Sequence, residues 1–261
     1  MILARLRAEV VGVGRRLLQT GLVVGTSGNV SARDKETGLV AISPSGMEYD
    51  RIDAEDVPVV DEEGRPVEGR RRPSTELPTH LAIYRAYPEV GAVVHTHSPY
   101  ATVLSVLGWS LPAVLGEAAA VLGGEVRLAE YATTGSEQLG VYTVMALEGR
   151  QAAILKNHGA IAVGEDLLEA LHVAWVLEST ARVYWAARVA GPVLQLSPDE
   201  VLRIRHGYLM NYGQRPKGAR QHAPTGTETP VPPGPTYRRA SAHGEPGGAG
   251  RYEGGPSRDG D

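Results

Sequence analysis

Two histidines one residue apart, His95 and His97 in the run VVHTHS, are the first side chains in this sequence whose types and spacing could do chemistry together. Side chains at i and i+2 of a strand share one face. If the apolar run 91–95 is a strand, its end therefore presents both imidazoles in one direction, and ring nitrogens at about 2.0–2.1 Å are ordinary zinc ligands. An HxH alone is a short motif that describes plain strand-end histidines equally well. A third histidine, His158, ends a second apolar run, AAILKNHGAIAV, where Gly159 permits close backbone approach. Three neutral imidazoles with a fourth position open describe a catalytic metal rather than a structural one. The ion expected is Zn2+, with Mn2+ or Co2+ as alternatives. The absence of cysteine excludes thiolate sites and disulfides.

Glu76, in PSTE, opens a predicted helix. A carboxylate in a first helical turn complements the helix dipole, worth about 0.3–1 kcal/mol. Beside a metal the same group fills the open coordination position and shuttles protons once substrate displaces it. The other histidines read differently. His80 follows Glu76 by one turn and suits a packed helix position; His172 and His206 lie on helices as structural or exposed groups; His222 and His243 fall in a C-terminal tail.

Three small-residue segments could hold an anion: Gly25 to Ser31 (GTSGNVS), Ser43 to Gly46 (SPSG) and Pro73 to Glu76 (PSTE). Small residues let backbone N–H groups approach an anion, hydroxyls and amides add donors, and a helix start offers unpaired N–H groups. Each alone describes a turn or a cap. Three in one chain beside a histidine cluster point to a phosphate.

The elements that must position these groups alternate. Helical spacing covers 2–20, ending at a Thr-Gly pair that suits a C-cap. Strand-like runs follow at 29–32, 39–43 and 57–60. Ser74 suits an N-cap for a helix stopped near Pro88. Then come a strand at 91–95, a helix at 98–107, a helix at 136–147, a strand at Ala152–Leu155, and helices at 165–190 and 198–211. Such alternation predicts one α/β domain over 1–214 with helices packed on a sheet. From 215 to 261 there is no Leu, Ile or Met, and Gly, Pro, Ser, Thr and Arg dominate. That composition cannot offset its ordering entropy, so a disordered tail is expected.

Bulk properties narrow the partners. A net charge of −4 gives no reason to expect nucleic acid. No run of 18 apolar residues predicts a membrane span, and the N-terminus lacks the h-region and cleavage site of a signal peptide, so a cytoplasmic protein is expected.

With GTSGNVS, SPSG, PSTE, VVHTHS and NHG in this order, the sequence resembles the class II aldolase/adducin family from the first helix to about Gly213, most of all its fuculose-phosphate aldolase branch. The resemblance implies a three-layer α/β fold with a central, mostly antiparallel sheet flanked by helices. It implies phosphate held around Gly28, Asn29, Ser45, Gly46, Ser74 and Thr75, zinc on His95, His97 and His158, and Glu76 as the catalytic acid/base. It further implies a homotetramer with active sites between subunits, where Tyr212 of one chain reaches a neighbour's site as proton donor. A tyrosine there also suits packing of the last helix. The reaction implied is cleavage of a ketose 1-phosphate into dihydroxyacetone phosphate and an aldehyde through a zinc-stabilised enediolate. Epimerisation of ribulose 5-phosphate and dehydration of methylthioribulose phosphate are the alternatives on the same scaffold. LPAVLGEAAAVLGG lacks the tyrosine the aldolases carry in this segment, with Gly116 or Glu117 in its place, and Ala120 stands where the epimerases have an aspartate.

Overall fold

The computed structural model describes residues 1–211 and 237–239. Seven α-helices and ten strands follow the order α1 (Ala4–Gln19), β1 (Asn29–Arg33), β2 (Val40–Ile42), β3 (Val59–Val60), β4 (Pro66–Glu68), α2 (Leu77–Ala86), β5 (Ala92–Thr96), α3 (Pro99–Leu107), α4 (Gly116–Leu122), β6 (Leu128–Ala129), α5 (Glu137–Leu147), β7 (Ala152–Leu155), β8 (Gly159–Gly164), α6 (Leu167–Ala190), β9 (Leu194–Leu196), α7 (Pro198–Asn211) and β10 (Tyr237–Arg239) among the described residues. Eight strands form one sheet in the order β4-β3-β2-β1-β5-β8-β7-β6. Every pairing in it is antiparallel except β6 with β7.

The period-2 geometry of these strands builds two cores at once. Val30, Ala32, Val94, Ile154 and Ala162 point to one face, where they meet Val10 of α1, Leu104 of α3 and Leu171 of α6. Val40, Ile42, Val93, Leu155 and Ile161 point to the other, against Leu81 of α2 and Leu147 of α5. The sheet is thus covered on both sides, which explains why strands such as AVVHT and AAIL are apolar at nearly every position. This is the three-layer, mostly antiparallel α/β architecture that the resemblance implies. Ala119 of α4 and Val201 of α7 pack together in a smaller third cluster. Among the described residues no helix is long and apolar enough to cross a membrane.

Two local expectations are corrected. The helix expected to open at Ser74 begins at Leu77, because the 74–77 segment closes as a turn, with Leu77 N–H donating to the Ser74 carbonyl oxygen, and Pro78 marks the first helical turn. The run AAILKNHGAIAV is not one strand ending at His158 but a hairpin, β7 and β8, with His158 in its turn next to Asn157 at φ 54°. Among the described residues Tyr237–Arg239 pair antiparallel with β9. The short elements α4, β4, β6 and β9 carry too few residues to show a period in the sequence. Tyr212 and the rest of the tail lie outside the described residues.

Candidate metal centre and anion loops

β5 ends the buried run that sets His95, and His97 follows one residue past the strand. The β7–β8 turn brings His158 alongside, with ring centroids of the three imidazoles 4.7–5.1 Å apart. Glu76 occupies the N-cap position of α2, but its side chain caps nothing and turns into the cluster instead. Its Oε2 lies 3.3 Å from His95 Nε2 and its Oε1 3.5 Å from His158 Nε2. His97 Nε2 lies 3.0 Å from His95 Nε2. Two donors at 2.0–2.1 Å from one tetrahedral ion stand about 3.3 Å apart, so these separations are those of a ligand set. The four donor atoms all fall within 4.8 Å of one another.

Two further observations fit a divalent cation. Among the described residues, Glu76 Oε2 and both ring nitrogens of His158 are buried without a hydrogen-bond partner, a costly condition unless an ion pairs them. His95 Nδ1–H donates to the Ala160 carbonyl oxygen at 3.0 Å, which turns the Nε2 lone pair toward the cluster. The charges agree. Burial pushes His95 down to about 3, more strongly than Glu76 can raise it, and burial with the neighbouring His158 also lowers His97. Burial alone would raise Glu76, yet the His95, His158 and His80 rings hold it at about 2. Neutral imidazoles beside an ionised carboxylate are the protonation states a metal requires.

The turn carrying His158 is held from behind by Ser105 of α3. Its buried hydroxyl donates to the Leu155 carbonyl oxygen at 2.7 Å and accepts the His158 backbone N–H at 2.9 Å. Gly159 is required here because a Cβ would collide with the Thr96 carbonyl oxygen.

The three anion segments are stitched into one wall. Ser43 exchanges backbone and side-chain bonds with Val30: its N–H donates to the Val30 carbonyl at 2.9 Å, and its hydroxyl accepts the Val30 N–H at 3.1 Å. Ser74 N–H donates to the Ser43 carbonyl and Ser45 N–H to the Arg72 carbonyl, on either side of a Pro44–Pro73 bridge. Ser45 and Gly46 are exposed, as is Thr75. The Ser45 N–H is engaged, whereas the Gly46 and Thr75 N–H groups make no hydrogen bond among the described residues. The Ser74 hydroxyl accepts the Glu76 N–H at 3.2 Å, fixing the backbone that carries the carboxylate. Gly28, at φ 70°, abuts the His95 carbonyl so closely that a Cβ would stand 2.7 Å from that oxygen. Asn29 lies directly across from His95 in the β1–β5 ladder. The loops and the cluster therefore meet at the same ends of the two neighbouring central strands, the start of β1 and the end of β5.

His80 is buried on α2 outside the cluster, His172 is half-buried and His206 exposed, and Lys156 pairs with Glu130. Ser43 falls within the SPSG segment, whereas spacing marks neither Ser105, in a helix of mostly apolar residues, nor the bonds of His80.

Fold and site together define a class: an α/β enzyme scaffold with a three-histidine, one-carboxylate cluster, buried at His95 and Glu76, able to hold a divalent cation. The sequence profile of the class II aldolase and adducin N-terminal domain matches residues 8–185, and the chain belongs to that family. It is an enzyme of the metal-dependent lyase type, the type of the family's aldolases. A 5-deoxy-D-ribulose 1-phosphate aldolase of Bacillus thuringiensis serovar kurstaki is 40% identical over 215 residues, 82% of this chain and 100% of the relative. An L-ribulose-5-phosphate 4-epimerase of Salmonella paratyphi B is 37% identical over 226 residues, 81% of this chain and 99% of the relative. A solved L-fuculose 1-phosphate aldolase superposes with a TM-score of 0.77 at 38% identity, covering 78% of this chain and 96% of that one.

Proposed function

We propose that this chain is a zinc-dependent aldolase that cleaves a ketose 1-phosphate into dihydroxyacetone phosphate and an aldehyde. The observation that carries the reading is the place of Glu76, a buried carboxylate facing His95 and His158 on one side and hydrogen-bonded through its backbone to the anion loops on the other. A divalent cation held by His95, His97 and His158 supplies positive charge that polarises a substrate carbonyl and stabilises the oxyanion developing there. Gly46 and Thr75 N–H groups, with the side chains of Asn29, Ser45 and Thr75, bind the phosphate. Gly28 and Ser74 shape that cradle. Holding the phosphate fixes the sugar so that its C3 lies at the carboxylate. When the C3–C4 bond breaks, the C4 hydroxyl releases its proton and becomes the aldehyde; the ionised Glu76 takes up one proton in exchange and returns it to the carbanionic C3 of the three-carbon fragment. Tyr212, from a neighbouring subunit, is assigned the relay of the C4 hydroxyl proton, passing its own phenol proton on as it accepts that one, and acts as proton donor to the aldehyde oxygen in the reverse addition.

The aldolase relative and the aldolase structure support this reading, as does Ala120, which leaves the epimerases' aspartate unreplaced. The 37% identical epimerase favours a second reading, isomerisation at C4 of a ketose 5-phosphate on the same cluster. A coupled assay for dihydroxyacetone phosphate with 5-deoxy-D-ribulose 1-phosphate and L-fuculose 1-phosphate decides between them. Release from either is expected. Release from neither, with L-ribulose 5-phosphate consumed, overturns the aldolase reading. We further assign the catalytic unit to 1–214, the assembly to a homotetramer, and the reaction to the cytoplasm, where sugar phosphates are made and consumed. Sedimentation of the native protein tests the tetramer.

A further inference from the structure

Behind the anion loops runs a buried polar chain of which the reaction above uses only the last member, Asn29. Tyr84 and His80 stand one turn apart on α2 and face Ser31 and Asn29, two apart on β1. The Tyr84 hydroxyl and Ser31 Oγ are 2.7 Å apart, Ser31 Oγ and His80 Nδ1 2.6 Å, and His80 Nε2 and Asn29 Oδ1 2.5 Å. A carboxamide oxygen only accepts, so His80 Nε2 carries the ring proton and donates to Asn29. His80 Nδ1 then accepts from the Ser31 hydroxyl, which accepts from Tyr84. Each member of the chain has one direction. All four residues are buried, and His80 is 0% exposed. Satisfied networks of this kind in a dry interior fix a single arrangement.

With its oxygen held, the Asn29 amide must present its Nδ2–H2 group the other way, and Nδ2 makes no hydrogen bond among the described residues. Asn29 opens β1 directly after the 25–28 loop. An amide turned over would offer its oxygen to an anion, which repels it; an amide held this way offers donors. We propose that His80 is a positioning residue for the anionic end of the substrate, holding the Asn29 amide with its N–H groups toward the phosphate. The inference rests on the reading of Asn29 as a phosphate-binding residue.

The test uses the full-length, zinc-loaded protein, inorganic phosphate as the probe, and KM and kcat for the sugar phosphate. His80→Leu removes the donor and is expected to weaken inorganic phosphate about tenfold and raise KM to match, with a smaller change in kcat and metal content unchanged. His80→Gln places an amide N–H near the lost Nε2 and is expected to restore most of the affinity. Wild-type phosphate affinity in His80→Leu overturns the proposal, as does equal loss in the Leu and Gln variants. If His80→Leu does not fold, Ser31→Ala gives the same readout, since it leaves Nδ1 without its donor: a loss of about threefold is expected, and unchanged affinity overturns the proposal. Asn29→Ala separates the two levels of inference. Undiminished phosphate binding in Asn29→Ala removes the role of Asn29 itself. Weakened binding there beside intact binding in His80→Leu removes only the role of His80.

Discussion

The carboxylate of Glu178, on α6, caps the start of α3 by accepting the backbone N–H of Tyr100 at 2.9 Å and 3.1 Å, and the next N–H, from Ala101, at 2.9 Å. Ser98 stands at the N-cap of α3 but makes no capping bond. α3 begins two residues after His97, so a carboxylate from a distant helix holds the segment that carries a cluster histidine. Removing it leaves helix-end donors unpaired. Glu178→Ala is expected to lower stability by about 1–2 kcal/mol, read in thermal melts, and to speed metal loss to a chelator. Glu178→Gln keeps an acceptor and loses only the dipole contribution of about 0.3–1 kcal/mol. Equal melting temperatures for wild type and Glu178→Ala count against the capping role.

Metal removal tests the cluster directly. Stripping with a chelator is expected to lower the melting temperature, and adding back a divalent cation to restore it, the gain rising with the logarithm of its concentration over Kd. His95→Ala abolishes both the restoration and the activity. Ser105→Ala acts one step back: loosening the His158 turn should weaken metal affinity about 10–100-fold, measured by chelator competition. A variant with wild-type affinity would return Ser105 to packing alone.

Acid should act on the metal-free protein in a defined window. Burial holds His80 at about 4 and His95 at about 3, against an ordinary 6.5. As pH falls below 6.5 the unfolded chain takes up protons that the folded chain refuses. The stability these neutral rings contribute is therefore fully present above pH 6.5 and is lost as pH falls toward 4 and below. Glu76, lowered from 4.5 to about 2 by the histidine rings against the effect of burial, adds a loss of the same sign below pH 4.5. Melting temperatures that stay level from pH 8 down to pH 5 would contradict this. His80→Leu should flatten part of the slope.

Gly28→Ala places a methyl group 2.6 Å from Val23 Cγ1 and 2.7 Å from the His95 carbonyl oxygen, in a left-handed backbone. A loss of about 1–3 kcal/mol from overpacking is expected, together with weakened phosphate binding. Gly12→Ala, a helical position with open space around it, is the control and should match or exceed wild-type stability.

Tyr212→Phe is expected to lower turnover while leaving the melting temperature and metal content unchanged. Unchanged turnover would assign Tyr212 to helix packing.

The parts of this site that sequence could show are those written in local spacing. His95 and His97 sit two apart on an apolar run, and that run is a strand whose residues divide between the two cores. His158 was visible as a residue but not as a turn, because two strands joined by three residues read as one apolar run. Ser74 carries an N-cap residue type, yet the helix starts three residues later, a choice made by the turn and by Pro78. Contacts between residues far apart in the chain leave no spacing to read. Ser105 with His158, Glu178 with Tyr100, and His80 with Asn29 belong to that kind.

The register of β1 against β5 sets Asn29 opposite His95. The interval between the anion loop and the histidine cluster is thereby a length fixed by backbone hydrogen bonds, not by the reach of flexible side chains. It works as a gauge. A slip of one residue would turn the two side chains to opposite faces, so the distance cannot drift by small steps. On the reading proposed here, substrates must match that gauge in the number of atoms between phosphate and reacting carbon. What lies beyond that carbon is not measured by it, leaving this end of the molecule open to change without disturbing the sheet.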